Sequence, residues 1–328
     1  MRRFSPRVDH SYVSYHPRIE TSDFASFQTT RCRNSELWFA NNPELENAIL
    51  GYAAKYQERY DITLYAFAIE GNHIQFPAHF PKLNRGDFMR DLNSSVARAV
   101  PRFVEEYPGG RLIERRYSNE FLPAEEDLEN WFFYTVLQCV QDGLVPKISE
   151  YPFYNCFHDA VWGIEREVKV MNWTAYNAVR RYNPLARMKD YEETYTLKYA
   201  RLPGYEHLSQ KEYATLMHQK LEKRRQKIVA ERLAKGFGFL GREALLQVVR
   251  GSRPYRTKKS TRDSHRPRVL SICPVRREAV KSWYFDIYFR FKAASLKFRN
   301  GELLTKFPPG TYRPSLWVTV PQRHPPPT

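Results

Sequence analysis

The 328-residue sequence predicts an α+β fold, an antiparallel sheet with helices packed on one face, followed by a basic, mainly helical C-terminal region. Three observations carry this reading. Short β-rich runs alternate with helical periodicity over residues 23–145, the turn residues Glu70-Gly71-Asn72 join two of those runs as a hairpin, and the charge changes sign between the halves. Residues 1–165 hold 17 Lys+Arg against 23 Asp+Glu, whereas 166–328 hold 35 against 13.

Residues 1–22 are polar and irregular, with Pro6 and Pro17, and are expected to form a flexible arm. From Asp23 to Phe39 the residues Phe24, Phe27, Thr29, Thr30, Leu37 and Phe39 alternate in part, giving a first strand or hairpin. Asn42-Pro43-Glu44 opens a helix whose apolar stripe, Leu45, Ile49, Tyr52, Ala53 and Tyr56, runs to about Tyr60. Ile62 to Ile69 reads as a buried strand, and His73-Ile74-Gln75-Phe76 begins another that Pro77 should end or bulge. Asp87 to Tyr107 has helical spacing with a kink expected at Pro101, and Arg111 to Leu122 reads as a strand followed by an irregular turn. The acids after Pro123 start a helix reaching Val145. The order β-α-β-β-α-β-α fits a ferredoxin-like antiparallel sheet.

Periodicity then fades until Ser209-Gln210-Lys211-Glu212, a capping box that starts a long Lys/Arg-studded helix ending near Lys235 before Gly236. Arg253 to Arg268 carries seven basic residues against Asp263 with no apolar pattern, so a flexible segment is expected within about 252–270. The aromatic runs Trp283-Tyr284-Phe285 and Tyr288-Phe289 interleave at helical spacing and read as core. The domain reading is therefore an arm (1–22), an α+β unit and a basic C-terminal region.

No apolar stretch approaches the ~18 residues that span a bilayer, and the opening residues lack a signal-peptide core, so a cytoplasmic protein with no membrane partner is expected. The four cysteines form no CxxC pair and read as reduced. A block as basic as 166–328 calls for an anionic partner, and nucleic acid is the abundant intracellular polyanion.

Strand parity puts His73 and Gln75 on one face, with Ile74 and Phe76 on the other. An imidazole nitrogen and an amide oxygen are acceptable ligands for Mg²⁺ or Mn²⁺. On the helix that follows Pro123, Leu128, Phe132, Val136 and Val140 form the apolar stripe, while Tyr134 and Gln138 stack one turn apart on the other side. If this helix crosses the sheet near the hairpin, a phenol and a third neutral ligand arrive beside His73 and Gln75. A phenol is a poor nucleophile near its free pKa of about 10, but a cation that polarises a phosphodiester makes its attack feasible.

These residues resemble a known family. Gly71-Asn72-His73-Ile74-Gln75 looks like the PNHxH-type site of IS200-like, REP-associated tyrosine transposases, which belong to the HUH (His-hydrophobic-His) single-strand nucleases. Glu114-Arg115-Arg116-Tyr117-Ser118 resembles the family's W-x-R-R-Y-S segment, and Tyr134-Thr135-Val136-Leu137-Gln138 its Y-I-x-x-N helix. Asp142-Gly143-Leu144-Val145 followed by Glu150-Tyr151-Pro152-Phe153 resembles its GLV…WP exit, and Lys306-Phe307-Pro308-Pro309-Gly310-Thr311-Tyr312 the close of a long-form subgroup. The similarity covers roughly Asp23 to Gly163 and is weaker beyond, and this resemblance bounds a catalytic domain at 23–163 and the basic region at 164–328.

The resemblance implies an HUH nuclease fold. It further implies an enzyme that cleaves and rejoins hairpin-containing single-stranded DNA through a 5′-phosphotyrosine intermediate, at the nucleoid and as a homodimer. Tyr134 would be the nucleophile. His73, Gln75 and Gln138 would hold Mg²⁺ or Mn²⁺. Arg115 and Arg116 would contact phosphate, joined by Lys223, Arg224 and Arg225 of the long helix and by Arg256, Lys258 and Lys259 of the basic segment. Two departures stand out, Gln75 at the second His position and Gln138-Cys139 in place of Asn-Pro. The alternative reading is a decayed or domesticated copy that binds nucleic acid without cutting it.

Overall fold

The computed structural model describes residues 17–254 and 268–314. The main sheet is built from β1 (Ala25–Arg31), β2 (Thr63–Leu64), β3 (Ala68–Glu70), β4 (His73–His79), β5 (Ser118–Leu122) and β8 (Arg268–Val269), in the order β2-β4-β1-β5-β8 with β3 also on β4. All pairings are antiparallel except β5 with β8. The chain is an α+β protein. No helix among the described residues is long and apolar enough to cross a membrane.

Helices cover both faces of the sheet, not one. In an antiparallel ladder directly opposed residues point to the same side, so Ile74, Phe76 and Ala78 face one way and His73, Gln75 and Pro77 the other. On the first face α2 (Arg85–Phe103) places Phe88 against Phe76, and α1 (Pro43–Tyr60) packs alongside through a Tyr56–Ser95 hydroxyl pair at 2.8 Å. On the second face lies α3 (Glu125–Val136), continued by the single turn α4 (Gln138–Gln141). Alternation alone cannot reveal this, because both faces of the central strands carry polar as well as apolar residues.

Local signals set several boundaries. Asn42 caps α1 by accepting from the Leu45 N–H at 2.9 Å, with Pro43 at the first helical position. Pro77 sits inside β4, and the bulge it demands falls on its neighbour instead. Its carbonyl accepts from Tyr65 at 3.2 Å on the side where it has no N–H to offer, and there the run 62–69 splits into β2 and β3. Pro101 lies in the last turn of α2, which stops at Phe103. The reading of 111–122 is inverted: 111–117 is irregular apart from one bridge, Cys32 to Ile113, and the strand is Ser118–Leu122.

The second half is less purely helical than its composition suggests. After α5 (Phe157–Trp162), β6 (Arg166–Met171) and β7 (Glu192–Leu197) form an antiparallel ribbon that carries α6 (Trp173–Arg180) in its connection. The ribbon packs on α1, where Lys55 meets Glu193 at 2.8 Å. The long helix α7 (Gln210–Ala234) begins with the Ser209–Glu212 capping box and buries Tyr213, Met217 and Leu221 in its first half alone. After α8 (Arg242–Leu246), β8 extends the sheet and α9 (Pro274–Arg299) lays Val280, Tyr284 and Ile287 over Phe121 and Ile19. One apolar cluster runs from Ala25 to Leu245, so residues 163 and 164 do not separate two cores. The Trp283–Tyr288 run packs as core, but Phe289 is 61 % exposed.

Residues 17–22 are not part of a free arm. Ile19 is fully buried, and Glu20 accepts from the backbone N–H groups of Arg85 and Gly86 at 3.2 and 2.7 Å, stapling the segment to the start of α2. The Glu20 N–H donates to Gly310 at 2.8 Å and Tyr312 donates to the Glu20 carboxylate at 3.1 Å, so the two ends of the described chain meet there. Gly310 has φ +72°, and a Cβ on it would lie 2.0 Å from the Glu20 carbonyl oxygen. Gly310→Ala is therefore expected to cost about 2 kcal/mol or more, from the strained backbone and the clash together. An unchanged urea midpoint would contradict this closure.

Of the segment expected to be flexible, 255–267 lies outside the described residues, as do residues 1–16 of the expected arm. The flanks of the first are ordered: Leu37 donates to Ser252 at 2.9 Å, and Arg268–Val269 pair with Glu120–Phe121. The four cysteines are free thiols.

Candidate active site

The second sheet face is lined by a small set of side chains whose registers agree. Phe27 opposes Pro77, Thr29 opposes Gln75, Arg31 opposes His73, and Glu70 opposes His73 from the other side. All therefore project toward α3. That helix seats itself with aromatic contacts: Phe27 meets Trp131 at 4.6 Å and Tyr134 edge-on at 5.9 Å, and Trp131 packs on Tyr134 at 4.4 Å. The helix expected to run unbroken to Val145 breaks at Leu137. Thr135 bonds back to the Trp131 carbonyl at 2.8 Å, a contact that bends helices, and the break falls between Tyr134 and Gln138.

Asn72 sets the tautomer of His73. Its amide nitrogen donates to the Ser35 carbonyl at 2.9 Å, so its oxygen is the acceptor that faces His73 Nδ1 at 2.8 Å. Nδ1 therefore carries the proton and Nε2 the lone pair, the form that binds a metal. Burial, with help from the Arg31 charge, lowers the His73 pKa to about 3, so the ring is neutral at pH 7. Two amide ends nearby are orphaned: Gln75 Nε2 and Gln138 Oε1 are buried without partners among the described residues. Gln138 spends its other end on Asp142, donating at 2.9 Å.

Shared electrostatics tie these groups into one neighbourhood. Burial first, then Asp142 and Glu120, raise the Tyr134 pKa, while Arg31 and Gln138 lower it. Arg31 thus acts on both His73 and Tyr134, and Asp142 on both Tyr134 and Glu70. Glu70 is buried, and burial followed by Asp142 pushes its carboxyl up to about 8. Among the described residues no three His, Cys, Asp or Glu side chains are grouped to hold a metal. A cation here would rest on one imidazole and two amide oxygens, with Asp142 supplying negative charge and Glu70 held as a neutral carboxylic acid beside them. Hard divalent cations accept such oxygens, and the orphaned Gln138 oxygen has no other use.

A proton held by Glu70 makes stability fall with rising pH. The folded chain keeps this proton to about pH 8 while the unfolded carboxyl releases it near 4.5, so its contribution is complete below pH 4.5 and is lost on the way to 8. Glu70→Gln is expected to flatten that decline by a few kcal/mol, on the order of 1.4 kcal/mol for each pH unit between those two values, in urea titrations in EDTA at pH 5 and 8.5. Equal slopes for the two proteins would contradict it.

Beside this face lies a cleft of about 610 Å³, walled by Asn130, Phe133, Tyr134 and Gln141 on one side and by α7 on the other. From α7 come Arg224, Lys227 and Arg232, along with Ile228 and Glu231, and Lys235 follows as its C-cap. The helix is held there by Glu129, which pairs with Lys220 at 2.8 Å and Arg224 at 3.0 Å, and Arg224 also stacks over Phe133 at 4.1 Å. The acidic first half and the basic second half thus meet at Tyr134.

The nucleic-acid candidates fare unevenly. Arg224 lines the cleft, and Lys223 is exposed one residue before it. Arg225 is committed elsewhere, to Glu222 at 2.5 Å and the Pro146 carbonyl at 3.0 Å, where it fastens α7 to the loop below; its guanidinium is not available to a phosphate. Arg115 and Arg116 are exposed, with Glu114 3.8 Å from Arg115. Arg256, Lys258 and Lys259 lie outside the described residues. His79 donates to the Ser22 carbonyl at 2.7 Å, away from His73. Sequence reasoning missed Arg31, read Glu70 and Asn72 only as turn and motif residues, and read Lys227, Arg232 and Lys235 only as part of a long basic helix. Strand parity with Phe27 was the signal available for Arg31.

No protein-family model matches this chain, and no curated protein matches it in sequence. Among solved structures it is similar to a REP-associated tyrosine transposase bound to a REP hairpin, with 17 % identity over 45 % of this chain and 82 % of that one, at a TM-score of 0.36. It is also similar to a tRNA(His) guanylyltransferase from Saccharomyces cerevisiae, with 12 % identity over 39 % of this chain and 63 % of that one, at a TM-score of 0.31.

Proposed function

We propose that this protein is a metal-dependent tyrosine transposase that nicks and rejoins hairpin-containing single-stranded DNA, built on a ferredoxin-like HUH nuclease scaffold. The sheet order and the motif resemblance are compatible with that scaffold. The observation that carries the reading is the position of Tyr134, on the wall of a basic cleft and packed on Phe27 of the His73–Gln75 face, one turn before a buried, unpartnered Gln138 oxygen.

In this reading the cleft cations Lys227, Arg232 and Lys235 hold the phosphates of the strand against α3, while Arg224, bound to Glu129, fixes the helix that carries them. The Tyr134 oxygen attacks phosphorus, and the bond to the preceding nucleotide's 3′-oxygen breaks. The phenol gives up its proton, the leaving oxygen takes one up, and the products are a 5′-phosphotyrosine and a free 3′-hydroxyl. His73, Gln75 and Gln138 would hold a Mg²⁺ or Mn²⁺ ion that polarises the phosphoryl group. His73 stays neutral for that task because it is buried, and Asn72 fixes its ring. Arg31 favours the phenolate against the burial that opposes it. Rejoining is the same attack reversed by an incoming 3′-hydroxyl, and the reading includes a homodimer.

The test is incubation with a labelled single-stranded hairpin and Mn²⁺, resolved on a denaturing gel. A covalent protein–DNA band is expected, and it should fall at least about 100-fold with a chelator or with His73→Ala. Binding should persist in both cases and weaken steeply as salt rises. Salt-sensitive binding with no covalent band across a hairpin library would leave a binding protein and overturn the catalytic reading.

A further inference from the structure

The connection between β6 and β7 carries a second surface that the cleft does not explain. It lies on the opposite side of the molecule, because β6 and β7 pack on α1, which flanks α2 on the sheet face away from Tyr134. Its tip exposes Tyr182 at 89 % and Leu185 at 87 %, with Met188 also outside. Four cations, Arg180, Arg181, Arg187 and Lys189, stand among them against the single acid Asp190. Asp190 is bound to Arg187 at 3.0 Å, and Arg180 donates to the Tyr176 hydroxyl at 2.6 Å. Arg181 and Lys189 have no carboxylate partner among the described residues.

This tip is ordered. Tyr182 and Asn183 both donate to the Val179 carbonyl, at 3.0 and 2.9 Å, and the Asn183 side chain accepts from Leu185 at 3.1 Å before Ala186 bonds back to Asn183. At its base Tyr176 packs between Trp173 and Tyr191, and Arg102 of α2 lies 4.5 Å over Trp173. A fixed loop that holds an aromatic ring in water between cations offers both groups to a ligand with little ordering left to do, and the composition selects the ligand. Rings stack on bases of any sequence, and the flanking cations meet the phosphates on either side.

We propose that the 172–191 connection is a second nucleic-acid contact, in which Tyr182 stacks on an unpaired base and Arg181 and Lys189 bind the adjacent phosphates. The proposal rests on the reading of the protein as a nucleic-acid binder but not on its cleavage chemistry.

The test uses the full chain with a fluorescein-labelled hairpin carrying a single-stranded tail, followed by anisotropy across a salt series. Tyr182→Ala is expected to weaken binding about tenfold and Tyr182→Phe to leave it near wild type, since the ring is what stacks. Arg181→Gln with Lys189→Gln should lower the slope of log affinity against log salt by about two, one for each phosphate contact. Covalent-adduct formation at saturating DNA should be unchanged in every variant, so loss of the adduct alone would count against the Tyr134 reading and not this one. All of these side chains are exposed, which keeps the fold out of the comparison. Wild-type affinity for Tyr182→Ala would overturn the proposal. So would a loss of self-association in sedimentation, or of binding to anionic lipid vesicles, with DNA affinity intact, since the tip would then serve a second copy or a membrane surface.

Discussion

Tyr134→Phe is expected to abolish the covalent protein–DNA adduct, by a factor of about 10³ or more, while leaving hairpin affinity within a few-fold of wild type. The substitution removes one oxygen and keeps the ring, and the ring is what the structure uses. Tyr134 packs by its face and edge on Trp131 and Phe27, and it is only half-buried. The urea midpoint should therefore hold within about 0.5 kcal/mol, which separates lost chemistry from lost fold. The cleft cations remain, so binding and its salt dependence remain. An adduct that survives in Tyr134→Phe would move the nucleophile to another residue.

Arg85→Met is expected to cause the largest loss of stability, about 3–5 kcal/mol, because it removes a buried guanidinium, leaves the carbonyls it serves without a donor and leaves the buried Glu20 without its nearby positive charge. Arg85 is 1 % exposed, and its guanidinium donates to the Ile19 carbonyl at 2.8 Å and reaches the Arg18 carbonyl at 3.4 Å. It also supplies positive charge that partly offsets the burial which raises the Glu20 carboxyl above its usual range. Methionine fills much of the volume but donates nothing, so two carbonyls lose their donor and the buried Glu20 loses a nearby positive charge, while its bonds from the Arg85 and Gly86 N–H groups and Tyr312 remain. Adding Glu20→Gln should recover part of the loss, since the amide needs no counter-charge. Urea denaturation of the single and double variants reads both effects. A cost under about 1 kcal/mol would mean that residues 17–20 are not clamped as described.

The residues of the site were legible where chemistry follows local spacing. His73 and Gln75 share a strand face by parity, and Tyr134 and Gln138 share a helix face by turn; both patterns survive in the structure, though Leu137 breaks the helix between the second pair. The starts of α1 and α7 were legible because Asn42-Pro43 and Ser209–Glu212 are capping signals read within four residues. Features that depend on pairing were not. β5 begins at Ser118 because β1 offers it a ladder there, and nothing in 111–122 marks the point. The β6–β7 ribbon has mixed, charged strands, and α1 decides their burial. Glu70 reads as a turn residue until its register with His73 turns it inward. Arg225 and Lys227 look alike in sequence, yet Glu222 and Pro146 hold one while the other faces the cleft. Opposite charge on the two halves does not say where they touch, and the placement of α7 against α3 is what joins them at Tyr134.

The most direct test of the central claim is to locate the covalent bond. The protein is incubated with a hairpin oligonucleotide and Mn²⁺, digested with nuclease and trypsin, and fragmented in a mass spectrometer. Residues 117–147 form one tryptic peptide that carries two tyrosines, Tyr117 and Tyr134. The account predicts a nucleotide mass on that peptide whose fragment ions place it on Tyr134. A nucleotide on Tyr117 or on any other residue, or no modified peptide from a protein that still binds the hairpin, would contradict it.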